Sequence, residues 1–358
     1  MSAGFHSLTI ADVIDETAEA RSIRFAVPDG LRDSFKFKPG QHLTLKAEIE
    51  GEDVRRNYSL CVAPQDGALT VTVKRIGGGL FSNWANDTLK AGMALEVMPP
   101  HGSFTWDFEV GAANHYVGFA GGSGITPVMS LLKTALLTEP RSRFTLFYGN
   151  RDSQSVIFLE ALAELKNSFM DRLEVHHFLA EEYEDIDLFN GMLDRAKCEL
   201  ILETLIDPAE AAAFFICGPG PMMDAAEEAL LARGVDRDRI HLERFTAGRT
   251  SAMAEAQMQA LSKDAAGLAM TVTLDGRTRR VAFDAGAGNI LDSARAAGLP
   301  APFACKAGVC ATCRARVIAG EVEMAARYGL TDEEVMAGYV LTCQSVPKGD
   351  GLVLDYDA

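Results

Sequence analysis

One stretch decides the fold: HYVGFAGGSGITP, residues 115–127. Its first half is a continuous apolar run, which predicts a buried strand of a parallel sheet. Its second half is a glycine-rich turn, and Pro127 stands where proline commonly opens a helix. Strand, glycine loop and helix in this order predict a nucleotide site, because a helix N-terminus attracts the pyrophosphate of a dinucleotide.

The alternation of strands and helices continues for about a hundred residues. Further apolar strands are predicted at RFTLFYG (143–149), LEVHHFLA (173–180) and IHLERF (240–245). CGPGPMM (217–223) repeats the loop that joins a strand to a helix. This order predicts a doubly wound parallel sheet over residues 111–245. GGSGITP lacks the G-x-G-x-x-G spacing, so it is a variant of the dinucleotide fingerprint. The candidate coenzyme residues in these loops are Gly122, Ser123, Gly124, Cys217, Gly218 and Pro219.

The first 110 residues have a different pattern. Short runs such as FKPGQHLTLKAEI and ALTVTVKRI alternate with Gly, Pro, Asp and Asn, which predicts an antiparallel barrel or sandwich. In RRNYSL, the Arg56 guanidinium could pair with a pyrophosphate, the Tyr58 ring could stack on a flat ring, and the Ser59 hydroxyl could hydrogen-bond a flavin nitrogen. Taken alone, a solvated Arg and a core Tyr explain these residues equally well. A Gly-rich loop, GGGLFS (77–82), could present backbone N–H groups to the same phosphates. Its candidate residues are Gly79, Leu80, Phe81 and Ser82.

A third region follows a change in composition. Residues 246–268 are rich in Ala, Ser and Gln and are predicted to be a linker, in part helical. Near the start of residues 269–358, MTVTLDGRTRRVAFDAG (270–286) predicts a hairpin that turns at Asp275-Gly276. ILDSARAAG predicts a short helix that ends at a glycine. We therefore expect three domains, over residues 1–110, 111–245 and 269–358.

The C-terminal region contains a cysteine cluster, CKAGVCATC (305–313). Cys305, Cys310 and Cys313 have the spacing C-x4-C-x2-C, and Cys343 follows about thirty residues later, as in plant-type [2Fe–2S] ferredoxins. Small residues between the cysteines let backbone amides approach the sulfurs of an anionic cluster. A four-cysteine zinc site is the alternative, but structural zinc usually takes two short Cys pairs.

Charge and cysteine usage narrow the class of partner. The formal net charge of −16 disfavours nucleic acid and anionic membranes and favours docking on a more basic protein. The N-terminus lacks the pattern of a signal peptide, and no apolar run approaches the length of a membrane span. Clustered cysteines without an export signal favour metal or redox chemistry in the cytoplasm. Cys61 and Cys198 are expected to be structural.

The order of four motifs along the chain resembles the ferredoxin–NADP⁺ reductase superfamily with a fused C-terminal ferredoxin. These motifs are R-x-Y-S, GGSGITP, CGPGPM and C-x4-C-x2-C…C. The resemblance covers essentially the whole chain and is strongest to reductases of phenylacetyl-CoA epoxidases. It implies an antiparallel FAD-binding barrel, an α/β nucleotide domain and a β-grasp-like [2Fe–2S] domain. It implies that Thr126 lies between flavin and nicotinamide and that Phe245 covers the flavin ring, although an ordinary core Phe is possible. Ser59, Thr126 and Cys217 are the residues expected closest to hydride transfer.

One departure from the family pattern bears on the choice of nicotinamide coenzyme. NADPH-dependent relatives place Ser-Arg after the strand that matches LEVHHFLA, whereas this chain has Ala180-Glu181. A carboxylate there repels a 2′-phosphate and suits ribose hydroxyls, although Arg151 supplies positive charge nearby. The sequence therefore favours NADH slightly.

The predicted function is an NAD(P)H-dependent oxidoreductase that passes electrons through FAD and [2Fe–2S] to a terminal oxygenase, of the phenylacetyl-CoA epoxidase type. A reductase for a Rieske or steroid hydroxylase is the alternative within this class. A redox-sensing iron–sulfur flavoprotein is the alternative in another class.

Overall fold

The computed structural model describes residues 4–183, 185–245 and 252–358. The chain forms two compact units, the larger made of residues 5–54 and 58–243, and the smaller centred on residues 244–358. None of the helices in the described ranges combines the length and the apolarity that a bilayer crossing requires.

The larger unit begins with an antiparallel sheet in the order β4-β3-β6-β1-β2-β5. An isolated bridge between Leu60 and Val71 joins the two outer strands, and the Cys61 N–H donates to the Thr70 carbonyl at 3.1 Å. The sheet therefore closes on itself, which confirms the predicted barrel. Its elements are β1 (His6–Thr17), β2 (Ala20–Ala26), β3 (His42–Ile49), β4 (Glu52–Ser59), β5 (Leu69–Lys74), α1 (Leu80–Thr88) and β6 (Ala94–Val97).

A parallel sheet in the order β11-β10-β7-β8-β9 completes the larger unit. The first strand, β7, is central and fully buried, as its apolar run predicts. The chain builds outward on one side of β7 and then crosses to β10 on the other, so the predicted doubly wound fold is confirmed. The elements are β7 (His115–Gly121), α2 (Ile125–Thr138), β8 (Arg143–Asn150), α3 (Leu159–Ser168), β9 (Leu173–Leu179), α4 (Arg195–Thr204), β10 (Ala211–Cys217), α5 (Gly220–Ala232) and β11 (Ile240–Glu243).

Pro127 does not open its helix as predicted. Helix α2 begins at Ile125, because residues 122–124 already form a 3₁₀ turn that leads into it. Pro127 is therefore the third helical residue. It is tolerated there because the first N–H groups of a helix have no intrahelical acceptor.

The smaller unit contains a mixed sheet in the order β13-β12-β18-β14-β16 and a separate β15-β17 pair. Asp275 and Gly276 have φ values of 53° and 68° and join β12 to β13 as a two-residue turn, which confirms the predicted hairpin. The elements are α6 (Ala252–Asp264), β12 (Ala269–Leu274), β13 (Arg277–Ala282), α7 (Ile290–Ala296), β14 (Arg314–Ala319), β15 (Val322–Met324), α8 (Asp332–Met336), β16 (Tyr339–Leu341), β17 (Ser345–Pro347) and β18 (Leu352–Asp355).

The predicted linker, residues 246–268, is only partly outside regular structure. Its residues 252–264 form α6, and its residues 246–251 lie outside the described ranges. The strands of each sheet fall inside the predicted domain limits, and those limits stay predictions.

Candidate coenzyme, flavin and iron–sulfur sites

The two glycine loops lie side by side because β7 and β10 are paired, with Ala120 opposite Cys217. A Cβ atom added to Gly124 would stand 2.0 Å from the carbonyl oxygen of Cys217. One added to Gly218 would stand 2.9 Å from the Gly121 nitrogen. The glycines therefore let two backbones pack together, in addition to any ligand that they admit. The loops flank the point where the strand order reverses, which is where open α/β sheets bind ligands.

Two hydroxyl groups hold the first of these loops in place. The Tyr148 hydroxyl donates to the Gly122 carbonyl at 3.0 Å, and the Thr126 hydroxyl donates to the Ser123 carbonyl at 3.0 Å. Burial raises the pKa of Tyr148, so its phenol remains a donor. Thr126 is buried, and its position at the N-terminus of α2 fits the role that the resemblance implies.

Glu243, at the end of β11, connects two of the expected reaction-site residues. The Ser59 hydroxyl donates to its Oε2 at 3.3 Å, and Cys217 is its neighbour in the β10-β11 register. Burial, and then the nearby Glu243 charge, raise the pKa of the Cys217 thiol well above its ordinary value. Cys217 is therefore a neutral, fully buried thiol and not a nucleophile.

Two histidines extend this polar group. His42 Nδ1 lies 3.7 Å from Glu243 Oε1, and the His42 ring meets His101 edge to face with centroids 4.2 Å apart. Burial, and then the proximity of His42, lower the pKa of His101 to about 3, so it stays neutral. Sequence reasoning missed both Glu243 and His42. Their only sequence signals are charged or polar residues at the ends of predicted strands, in IHLERF and GQHLTL.

Aromatic rings surround the candidate flavin residues. The ring centroid of the half-buried Tyr58 lies 5.6 Å from that of Phe81, and the Phe81 centroid lies 5.4 Å from that of Trp84. Gly79 is the N-cap residue of α1, and because it has no side chain the N–H groups of the first turn stay available to a phosphate. Ser82 accepts from the Ile76 N–H at 3.2 Å and closes the loop. Donors beside an aromatic face fit a flavin with its phosphates.

The remaining predicted residues are exposed. Arg56 is exposed and donates to the Arg55 carbonyl at 2.7 Å. Phe245 is 39% exposed, just beyond β11. Arg151 pairs with Asp152 at 2.9 Å and faces Glu181 at 3.9 Å. The roles expected of these three residues stay predictions.

The four clustered cysteines stand as two pairs. The Cys310 thiol is the largest cause that raises the pKa of Cys305, and the Cys313 thiol is the largest cause that raises the pKa of Cys343, so each of these two thiols interacts most strongly with one partner. Among the residues that the structure describes, no group of three or more His, Cys, Asp or Glu side chains is placed to hold a metal ion. Two pairs are the arrangement that a binuclear cluster requires, since each of its irons takes two cysteine ligands.

The loop backbone also fits an anionic cluster. The N–H groups of Ala307 and Val309 point at the Cys305 sulfur, the former at 3.3 Å, and that of Gly308 points at Cys343. Lys306 and Ala311 have φ values of 52° and 53°, a backbone conformation that residues other than glycine rarely adopt. Such strain, together with N–H groups aimed at sulfur, is typical of a loop shaped around a charged group.

Two cysteines outside this cluster, Cys61 and Cys198, are expected to be structural, and their burial agrees with that expectation. Cys61 and Cys198 are buried, and burial is the main cause that raises the pKa of each thiol to about 12. Neither thiol ionises under ordinary conditions.

Comparison with known proteins agrees with this division of the chain. Residues 7–106 match an oxidoreductase FAD-binding domain, 119–228 an oxidoreductase NAD-binding domain, and 272–348 a 2Fe-2S iron-sulfur cluster binding domain. A component of the 1,2-phenylacetyl-CoA epoxidase of Escherichia coli is 44% identical over 99% of this chain and 98% of its own length. A 3-ketosteroid-9-alpha-monooxygenase ferredoxin reductase component of Mycobacterium tuberculosis is 40% identical over 98% and 95%.

The chain belongs to the ferredoxin–NADP⁺ reductase superfamily with a fused ferredoxin domain. The fold of phthalate dioxygenase reductase is similar, with 26% identity and a TM-score of 0.60 over 98% of both chains. The protein is therefore an NAD(P)H-dependent oxidoreductase, a reductase component with FAD, NAD(P) and [2Fe–2S] domains.

The contact between the two loops gives a first prediction for this reductase. Gly124→Ala forces the loop away from the Cys217 carbonyl, although φ at Gly124, −62°, suits any residue. We expect it to destabilise the larger unit by about 1–3 kcal/mol, the usual cost of overpacking, measured by thermal unfolding. Gly220→Ala is the matched control, because a Cβ there meets nothing within 4 Å. Equal stability of the two variants would contradict the close contact.

Proposed function

We propose that this reductase takes hydride from NADH and delivers electrons to the oxygenase of a phenylacetyl-CoA epoxidase. The observation that carries the proposal is the pairing of the four cysteine thiols in a domain fused to a flavin reductase. When bound, FAD accepts an electron pair as hydride and gives electrons up singly, and the cluster takes one at a time.

In this proposal the chain contributes binding and orientation. Arg56, Tyr58 and the loop of residues 79–82 hold FAD, and Phe245 covers its ring. Ser59, backed by Glu243, hydrogen-bonds the flavin, and Thr126 and Cys217 border the nicotinamide. Cys305 and Cys310 ligate one iron, and Cys313 and Cys343 the other. The glycine loops bind the coenzyme backbone. These residues are Gly122, Ser123, Gly124, Gly218 and Pro219.

The proposed electron exit is tested by Cys310→Ser. We expect it to abolish reduction of cytochrome c, which depends on the cluster, and to spare reduction of ferricyanide at the flavin. The physical reason is that one iron would lose a thiolate, while Tyr58, Ser59 and residues 79–82 lie in the larger unit, which the substitution does not alter. Steady-state rates with both acceptors measure this. Equal loss of both activities would contradict the proposed path.

NADH is proposed over NADPH because Arg151, a cation at the carboxyl edge of the parallel sheet, is already paired with carboxylates. Arg151 contacts Asp152 and faces Glu181, and Glu182 accepts from the Ser153 N–H at 2.8 Å. A 2′-phosphate would meet these carboxylates, whereas ribose hydroxyls can donate to them. The acidic edge therefore favours the coenzyme without the phosphate.

We expect kcat/KM to be higher with NADH than with NADPH. Glu181→Gln should raise the NADPH value by roughly two- to fivefold, which is the range of an exposed charge. Steady-state kinetics with both coenzymes measure this. Glu160→Gln, an exposed carboxylate in the first turn of α3, is the control and should change neither value. A preference above tenfold for NADPH in the unaltered protein would overturn the proposal.

The protein partner is proposed from similarity. The relative named as a phenylacetyl-CoA epoxidase component and the one named as a steroid monooxygenase component differ by only a few per cent in identity to this chain. The steroid-type reductase is therefore the second candidate. We also propose a cytoplasmic location, where thiols stay reduced, because all seven cysteines are free.

A coupled assay separates the two partners. We expect the reductase and NADH to support consumption of phenylacetyl-CoA by an epoxidase oxygenase that lacks its own reductase. With a 3-ketosteroid 9-alpha-monooxygenase oxygenase and its steroid, we expect much slower turnover. Substrate loss is measured by chromatography, with Cys310→Ser as the matched control. Faster turnover with the steroid system would favour the second candidate.

A further inference from the structure

The short segment that carries Cys343 is hydrogen-bonded to both ends of the cysteine loop, residues 305–313. The Thr342 hydroxyl donates to the Cys313 carbonyl at 2.9 Å, and the Thr342 N–H reaches the same oxygen at 3.3 Å. At the other end, Gln344 Nε2 donates to the Lys306 carbonyl at 2.9 Å. Residues 342–344 therefore span the loop that supplies the other three cysteines.

A tyrosine from the C-terminus supports one of these bonds. The Tyr356 hydroxyl donates to Thr342 Oγ1 at 2.8 Å, so a chain of donors runs from Tyr356 through Thr342 to the Cys313 carbonyl. Thr342 is fully buried, where hydrogen bonds in series strengthen one another. Burial raises the pKa of Tyr356, which keeps its phenol protonated as the first donor of the chain.

The loop is shaped to let Gln344 cross it. Gly308 has a φ of 75°, and a Cβ there would stand 2.9 Å from Gln344 Cγ and 3.1 Å from the Ala326 Cβ. The absence of a side chain at residue 308 therefore leaves the space that Gln344 occupies. The contact is part of the packing of the loop and not a chance approach of a surface side chain.

We propose that Thr342 and Gln344 form a clasp that keeps the cysteine loop closed over its cluster, and that Tyr356 is a positioning residue that orients Thr342. The inference rests on the proposed ligation by the four cysteines. Cys343 is the one ligand outside the loop, so its distance from the other three depends on how firmly the two segments are joined. Opening of the clasp is then a route by which iron is lost.

The test measures how fast an excess of a ferrous chelator removes iron from the dithionite-reduced full-length reductase, followed by visible absorbance. Thr342→Val keeps the side-chain shape but removes the hydroxyl, and we expect loss roughly three- to tenfold faster, as one buried hydrogen bond is worth. Thr342→Ser restores the hydroxyl and should return the rate close to that of the unaltered protein. Gln344→Met, which lacks the donor, should also accelerate loss.

A double-mutant cycle tests the role of Tyr356. Tyr356→Phe should accelerate iron loss less than Thr342→Val does. In the Thr342→Val background it should add nothing, because the phenol acts through the hydroxyl that is already gone. Additive effects of the two substitutions would overturn the positioning role. If Thr342→Val fails to load iron, Tyr356→Phe and Gln344→Met decide the outcome, and rates equal to the unaltered protein would overturn the clasp.

Ser345→Ala is the matched control. Ser345 is equally buried, and its hydroxyl donates to the Leu341 carbonyl at 2.8 Å, so this bond does not reach the cysteine loop. We expect it to lower thermal stability without accelerating iron loss. Acceleration as large as that of Thr342→Val would show that general destabilisation, and not the clasp, controls the rate. Absence of a [2Fe–2S] spectrum in the unaltered protein would instead contradict the ligation, which keeps the two failures distinguishable.

Discussion

The contact between Gly124 and the Cys217 carbonyl is the constraint on which the larger unit depends. It exists because β7 and β10 are neighbours although they are distant in sequence, so the loops that follow them must share one space. Only a residue without a side chain fits there. The N-termini of α2 and α5 are thereby brought together at the switch point of the sheet, where an anionic coenzyme is best stabilised.

The same unit links the barrel to the parallel sheet with short polar contacts. The Ser130 hydroxyl of α2 donates to the Val62 carbonyl at 2.6 Å, and the Gly40 N–H donates to that hydroxyl at 3.3 Å. The Ser59 hydroxyl, which donates to Glu243 of the last parallel strand, is a further contact of this kind. In the smaller unit the equivalent constraint proposed here is electrostatic, since thiolate ligands, if buried, would require N–H donors and iron to offset the loss of water.

Local features were predictable because neighbouring residues encode them. The apolar run of β7 and the Asp275-Gly276 turn formed the structures predicted for them, and the cysteine spacing lies within the region that matches a 2Fe-2S domain. The start of α2 was not predicted, because glycines in a tight turn continued smoothly into the helix ahead of Pro127. The helix of residues 252–264 was predicted only as part of a linker, since its Ala-rich sequence has weak apolar periodicity.

By itself the sequence determined the order of the three domains, the doubly wound and barrel topologies, and the four cysteines as a set. The doubly wound sheet and the cysteine set follow from periodicity and spacing along the chain, whereas the choice of a barrel over a sandwich follows from the resemblance to the reductase superfamily. Only the tertiary structure decided that Glu243 accepts a hydrogen bond from Ser59, 184 residues away, and lies close to His42. It also decided that Tyr356 donates to Thr342, next to Cys343. A polar residue at a strand end looks like surface in the sequence. It becomes part of a site only when closure of the barrel and the crossover of the sheet bury it beside a partner.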